Sequence, residues 1–189
     1  MSFELILGGA RSGKSRLAEQ KAAASGMPVH VLVTAEAMDA EMCARIARHQ
    51  ADRPAGWITH EVPRSLGAVL PRVAREGRCV IVDCLTVWLA NLMQGAEHLP
   101  PGIGGEALPL LQDERGALLQ ALPTLPGHII LVANEVGLGL VPDTPLGRMF
   151  RDEAGRLNQM VAAMAEEVTF VAAGLPLLMK GKTNTSACK

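Results

Sequence analysis

Eight residues near the amino terminus, Gly8-Gly9-Ala10-Arg11-Ser12-Gly13-Lys14-Ser15, fit the pattern G-x-x-x-x-G-K-[ST] without a mismatch. The apolar run Phe3-Glu4-Leu5-Ile6-Leu7 precedes them, and the helix-forming stretch Arg16-Leu17-Ala18-Glu19-Gln20 follows. This pattern works only as the turn between a strand and a helix, so it fixes the first βα unit of the fold. Glycines let the backbone curl until successive N–H groups converge on one point, and the helix N-terminus adds partial positive charge there. A phosphate is the ligand such a turn accepts. Lys14 is placed to reach β- and γ-phosphates, and Ser15 to ligate a Mg²⁺ ion.

The rest of the chain repeats the strand–helix alternation. Strands are expected at Phe3–Leu7, Val29–Val33, Trp57–Val62, Cys79–Asp83, His128–Ala133 and Val168–Ala173. Helices are expected at Lys14–Ala24, Ala40–Gln50, Ser65–Glu76 with Ser65 as cap, Val87–Met93, Glu106–Leu122 and Pro145–Glu166. Gln94–Gly105, rich in Gly and Pro, reads as a loop. Strands apolar along their whole length imply an α/β fold, with a mostly parallel sheet covered by helices on both faces. A three-layer P-loop (RecA-like) domain is therefore expected over residues 1–181. Residues 182–189 read as a polar, disordered tail.

Bulk properties remove several alternatives. A net charge of −1 on 189 residues argues against nucleic-acid binding, which needs a basic surface. Tyrosine is absent and aromatic content is 3%, so stacking platforms for single strands are scarce. No apolar run approaches the roughly 20 residues of a membrane span. The first strand carries Glu4 and does not read as a signal peptide. Four cysteines without a C-x-x-C pair suit reduced thiols in the cytoplasm.

In an open parallel sheet the ligand lies at the carboxyl ends of the strands. Those ends carry the phosphate turn, Thr34-Ala35-Glu36, Asp83-Cys84-Leu85-Thr86 and Asn134-Glu135-Val136-Gly137. Asp83 is placed as a second Mg²⁺ partner or as the cap of the following helix. Glu135 is similarly placed, as a further acid or a solvated loop carboxylate. A plain phosphate-loop protein has no need of His49, which stands between Arg48 and Arg53 just before Pro54. Imidazole can serve there as nucleophile or base, and the arginines can pair with phosphate oxygens. The alternative is a solvated histidine at a helix C-terminus. His30, His60, His98 and His128 lack such company and are assigned to strands or loops. Arg148 and Asp152, spaced i,i+4, are expected to form a surface ion pair.

Beyond these residues, the chain resembles the bifunctional adenosylcobinamide kinase/adenosylcobinamide-phosphate guanylyltransferase family of cobalamin biosynthesis. The likeness rests on Leu7–Ser15, Glu41-Met42 through Arg53-Pro54, and Asp83-Cys84-Leu85-Thr86 with Asn91-Leu92. It continues in Asn134–Pro142 and in Phe150-Arg151-Asp152 through Asn158-Gln159. The resemblance implies two reactions. ATP or GTP phosphorylates adenosylcobinamide, and GMP then passes from GTP to that phosphate through a GMP-histidine intermediate, releasing pyrophosphate. It makes His49 the nucleophile and Lys14 its catalytic partner. It implies nucleotide contacts at Gly8–Ser15, Val33, Thr34, Ala35, Gln50, Ala51, Asp52, Arg53, Glu61 and Asp83. Glu61 can accept the N1–H and exocyclic amine of guanine. A homotrimer with active sites near subunit contacts is implied as well. Two other readings stay open at this point: a small-metabolite kinase in which His49 is structural, and a GTP-binding regulatory module. The second would carry an Asn-Lys-x-Asp box, which the chain lacks.

Overall fold

A computed structural model describes residues 2–36, 53–98 and 104–181. Seven strands among them form one sheet: β1 (Ser2–Gly8), β2 (Val29–Val33), β3 (Ile58–Glu61), β4 (Cys79–Asp83), β5 (His128–Asn134), β6 (Glu167–Ala172) and β7 (Leu175–Lys180). Their order is β3-β2-β4-β5-β1-β6-β7, and every pairing is parallel except β6–β7. The described helices are α1 (Lys14–Ala24), α2 (Leu66–Val73), α3 (Leu85–Leu92), α4 (Pro109–Ala121) and α5 (Pro145–Met164). The expected helix Ala40–Gln50 lies outside the described residues, as does the tail 182–189.

Alternation along each central strand sends successive side chains to opposite faces, and both faces are apolar. Leu5, Leu32, Val80, Val82 and Leu131 pack against α2, α3, α4 and α5. Ile6, Val31, Ile81, Ile130 and Val132 meet α1 on the other side. Helix α1 buries only Lys14, Ala18 and Ala22, a stripe at i,i+4 spacing narrow enough to lay its backbone close on the sheet. The α2–α4 contact is closer still. A Cβ on Gly67 would stand 2.6 Å from that of Ala117.

Three elements differ from expectation. Helix α2 stops at Val73, because Ala74 is already extended and Gly77 turns the chain at φ 69°. Ser65 occupies its N-cap position without a capping side-chain bond. Strand β7 carries no period-2 polar signal and was not expected. Its cue is Ala173-Gly174, whose φ angles of 51° and 78° make the two-residue turn that right-handed strand twist favours. Arg148 does not pair with Asp152. It donates to the carbonyls of Pro142 and Asp143 and so anchors the loop before α5, while Asp152 meets Arg151.

The amino ends of the strands are held by a charged cluster. Glu4 on β1 accepts from Lys21 of α1 and from His128 Nε2 of β5 at 2.9 Å, and Lys21 also reaches Glu167 of β6. Burial alone would raise the Glu4 pKa, but the bonds from His128 and Lys21 outweigh it and hold the carboxyl below its usual range. The Cys79 sulfur at Nδ1 and the Glu4 carboxylate at Nε2 push His128 up to about 9. A raised folded-state pKa stabilises fully below the unfolded value near 6.5, and that contribution is lost as pH rises through 9. The stability of wild type relative to His128→Asn should therefore shrink between these limits. Urea unfolding of both proteins at several pH values checks this, and a pH-independent difference would remove the ion pair from the account.

Candidate functional site

Strand β1 ends at Gly8, between Asn134 of β5 and Val171 of β6, and the chain must turn sharply there. A Cβ at Gly8 would lie 2.5 Å from both Ser12 Oγ and the Val171 carbonyl, so the turn closes only around a glycine. Arg11 takes a left-handed φ of 57° and Gly13 one of 100°. The loop is braced from outside as well. Gly174 N–H donates to the Ser12 carbonyl at 2.8 Å, and Glu135 N–H donates to that of Gly8 at 3.0 Å. Helix α1 begins directly after Gly13, and no side chain caps its N-terminus. Lys14 is buried, with Nζ curled back to the Gly9 carbonyl at 3.2 Å.

Across the same edge, Asp83 closes β4 and comes within 3.5 Å of the Ser15 hydroxyl, which donates to Oδ1. The N-cap of α3 is Cys84 rather than Asp83, so Asp83 does not serve as that cap. Burial, followed by the neighbouring Asp83 carboxylate, pushes the Cys84 thiol up to about 11, and it stays protonated near neutrality. Cys84 is therefore no nucleophile. Glu135 is folded onto its own loop and accepts from Gly137 N–H.

The remaining expected residues divide into two groups. Val33, Thr34, Arg53 and Glu61 gather around the carboxyl ends of β2 and β3, with Val33 opposite both Asp83 and Glu61 in register. Glu61 is exposed, and Arg53 Nη1 donates to Thr59 Oγ1 at 3.2 Å. Ala35 follows on the same loop. His49, Gln50, Ala51 and Asp52 lie outside the described residues. Among the described residues, Ser12 Oγ, Arg53 Nε and Glu114 Oε2 are buried polar atoms without a hydrogen-bond partner; Ser12 belongs to the phosphate loop, and Glu114 lies on α4. Buried polar atoms are satisfied as a rule, so the Ser12 hydroxyl in the phosphate loop has bonding capacity left over.

Sequence reasoning assigned no role to the polar side chains behind the site. Asn91 donates from its amide nitrogen to the carbonyls of Thr34 at 2.7 Å and Pro63 at 2.9 Å, tying together the loops after β2 and β3. Thr86 Oγ1 accepts from Asn134 N–H at 2.6 Å, and Asn158 donates to the Asn134 carbonyl at 3.2 Å. The available signal was Asn91 itself, the one amide in a helix, Leu85–Leu92, that is apolar apart from it and Thr86.

A mostly parallel sheet with this loop and an acidic strand end defines a P-loop nucleotide-binding protein. Solved structures agree on the fold. An ATPase of the type III secretion system of pathogenic bacteria superposes with a TM-score of 0.55 at 11% identity, covering 97% of this chain and 60% of that one. The sequence narrows the class further. Residues 4–179 match the profile of the cobinamide kinase / cobinamide phosphate guanyltransferase family, and the chain belongs to that family. It is 53% identical over 179 residues to the bifunctional adenosylcobalamin biosynthesis protein CobP of Pseudomonas aeruginosa, covering 95% of this chain and 98% of that protein. It is 38% identical to the corresponding CobU of Salmonella typhimurium, covering 93% and 98%. Membership carries the family's two activities, kinase and guanylyltransferase.

Gly8→Ala tests the geometry of the loop apart from its chemistry. The added methyl meets a backbone carbonyl that cannot move aside, so the loop must shift by about an ångström. Affinity for a fluorescent GTP analogue should fall, because the N–H groups of a shifted loop no longer converge on the phosphates. Fluorescence titration of the folded variant measures it, and unchanged affinity would show that the close approach at Gly8 does not shape the site.

Proposed function

We propose that the chain phosphorylates adenosylcobinamide and then guanylylates the product, and that the phosphate loop holds the nucleotide. The observation that carries this reading is the juxtaposition of Ser15 and Asp83, 3.5 Å apart beside Lys14. In the first reaction the terminal hydroxyl oxygen of the aminopropanol arm attacks the γ-phosphorus of ATP or GTP, and the bond to the β-phosphate oxygen breaks. In the second, a ring nitrogen of neutral His49 attacks the α-phosphorus of GTP and pyrophosphate leaves. The cobinamide phosphate oxygen then attacks the same phosphorus, the P–N bond breaks, and His49 is restored.

Each described residue has a part in this reading. Backbone N–H groups of Gly9–Ser15 and the α1 N-terminus receive the phosphates, with Gly8, Ala10 and Arg11 shaping the turn. Lys14 neutralises charge that moves onto the bridging and leaving oxygens. The Ser12 hydroxyl and the Arg53 guanidinium, each with an unpartnered polar atom, are assigned to phosphate or ribose oxygens in this reading. The exposed Glu61 reads guanine, with Val33 and the backbone of Thr34 and Ala35 beside it; the same reading gives nucleotide contacts to Gln50, Ala51 and Asp52, which lie outside the described residues. Ser15 and Asp83 offer hard oxygen donors, which fit a Mg²⁺ ion that keeps most of its water. Such an ion neutralises phosphate charge when bound.

The activity fits one domain over residues 1–181, working in the cytoplasm. Cys79 and Cys84 are free and buried, as suits a reducing compartment. Among the described residues no helix is long and apolar enough to cross a membrane. A homotrimer is part of the same reading. Leu138, Leu140 and Val141 on one loop are 62% to 96% exposed, and Leu175, Leu177 and Met179 line one side of β7 at 62% to 72%. Two separate apolar patches suit a heterologous interface that closes on itself. Sedimentation equilibrium should give three subunits for the wild type and a smaller species for Leu177→Glu/Met179→Glu. A monomeric wild type would refute the trimer.

Incubation with α-labelled GTP tests the covalent step. The wild type should carry acid-labile, base-stable label, and His49→Ala should carry none while still phosphorylating adenosylcobinamide. Lys14→Ala should lose both reactions. Full labelling of His49→Ala would exclude it as the nucleophile, and normal turnover by Lys14→Ala would remove the phosphate loop from the mechanism.

A further inference from the structure

Thr34 stands among the expected nucleotide contacts, yet its side chain is turned away from any ligand. It is fully buried, and its hydroxyl is committed twice: Oγ1 donates to the Cys84 carbonyl at 2.8 Å and accepts from Cys84 N–H at 3.0 Å. Its own N–H donates to the Asp83 carbonyl at 3.2 Å. The peptide unit joining Asp83 to Cys84 therefore has both polar ends, the Asp83 carbonyl and the Cys84 N–H, bonded to one residue. That peptide unit also fixes the direction in which Asp83 leaves the end of β4. Thr34 is in turn held from behind, since Asn91 Nδ2 donates to its carbonyl at 2.7 Å.

We infer that Thr34 is a positioning residue, whose hydroxyl holds the Asp83–Cys84 backbone so that the Asp83 carboxylate stays within reach of Ser15 and of the metal ion they share. A hydroxyl is the one small group that can both donate and accept at a single buried position. Valine would fill the same volume and make neither bond. The Ser15–Asp83 separation of 3.5 Å is already at the long limit of a hydrogen bond, so a modest rotation of the Asp83 backbone parts the pair. Groups behind a metal ligand commonly govern metal affinity by about 10- to 100-fold without touching the ion.

This inference rests on reading Ser15 and Asp83 as the metal pair, and the experiment separates the two. Mn²⁺ binding to the protein–GDP complex is measured by electron paramagnetic resonance, with no turnover involved, for wild type, Thr34→Val, Thr34→Ala, Thr34→Ser and Asp83→Asn. Thr34→Val and Thr34→Ala should each weaken Mn²⁺ about tenfold, and Thr34→Ser should restore it to within about twofold. Metal-free GDP affinity, measured in parallel, should change less than Mn²⁺ affinity in the hydroxyl-free variants, and an equal loss in both would overturn the positioning role. Thr34→Ala adds no bulk, and its comparison with Thr34→Ser isolates the hydroxyl even where the valine variant does not fold. A Thr34→Ala protein that unfolds at lower temperature but binds Mn²⁺ like Thr34→Ser would overturn the positioning role, leaving a structural one. If Asp83→Asn also binds Mn²⁺ normally, the metal pair itself is wrong and the inference falls with it. If Asp83→Asn is weakened while both hydroxyl-free variants are not, only the inference about Thr34 falls.

Discussion

Everything at the carboxyl edge of the sheet depends on how tightly β1 can turn at Gly8. The strand runs between β5 and β6, so the loop that leaves it is walled by their ends and has no room for a side chain at its first residue. Close packing forces the backbone polar groups inward, where a run of N–H donors converges ahead of α1. The same crowding supplies the braces, since the β6–β7 turn donates to Ser12 and the β5 loop donates to Gly8. Steric exclusion at one glycine thus sets the loop, the helix start and the place of Lys14 together. Left-handed Arg11 carries the remaining strain, while Gly13 takes its positive φ without any, and such strain persists only when the surroundings over-determine it.

Most of this arrangement can be read in the sequence because it is local. The loop, the first helix and strands β2 and β4 fall on residues whose pattern and spacing are sufficient, and the expected bounds of α1, β2 and β4 match. Strand β7 was illegible for a physical reason. An edge strand packed on one neighbour has little burial pattern, and Leu175–Lys180 is exposed on both sides. Helix α2 was over-extended because Arg75 and Glu76 continue a helical composition after Ala74 has already left the helix. The Arg148–Asp152 pair had the right spacing, but the guanidinium is taken by the carbonyls of Pro142 and Asp143, and an exposed ion pair adds too little to compete.

The site shows the same division. Ser15 meeting Asp83 follows from reading strand ends, because a parallel sheet places all of them on one edge. What could not be read is which polar residues support that edge from behind. Thr34 and Asn91 are separated in sequence by β3, α2, β4 and most of α3, and nothing in their spacing reveals that both hold the loop after β2. Thr34 was expected as a ligand contact, but its hydroxyl is consumed by the Cys84 backbone. Helical or strand periodicity locates a side chain on a face; it does not say which backbone groups need a partner there.

The two ends of the strands use polar residues in opposite ways. At the amino ends, Glu4, Lys21, His128 and Glu167 satisfy one another, and the pKa values of Glu4, Lys21 and His128 move in the directions that favour their charged forms. Such a cluster holds strands together and has no capacity left for a ligand. At the carboxyl ends, the supporting residues are fully bonded to backbone, while Ser12 Oγ and Arg53 Nε keep unused capacity. A fold that satisfies nearly every buried group can leave a few unsatisfied only where the surrounding backbone is fixed, since a loose loop would rearrange to meet them. Thr34, Asn91, Thr86 and Asn158 supply that fixity for the loops after β2, β3, β4 and β5.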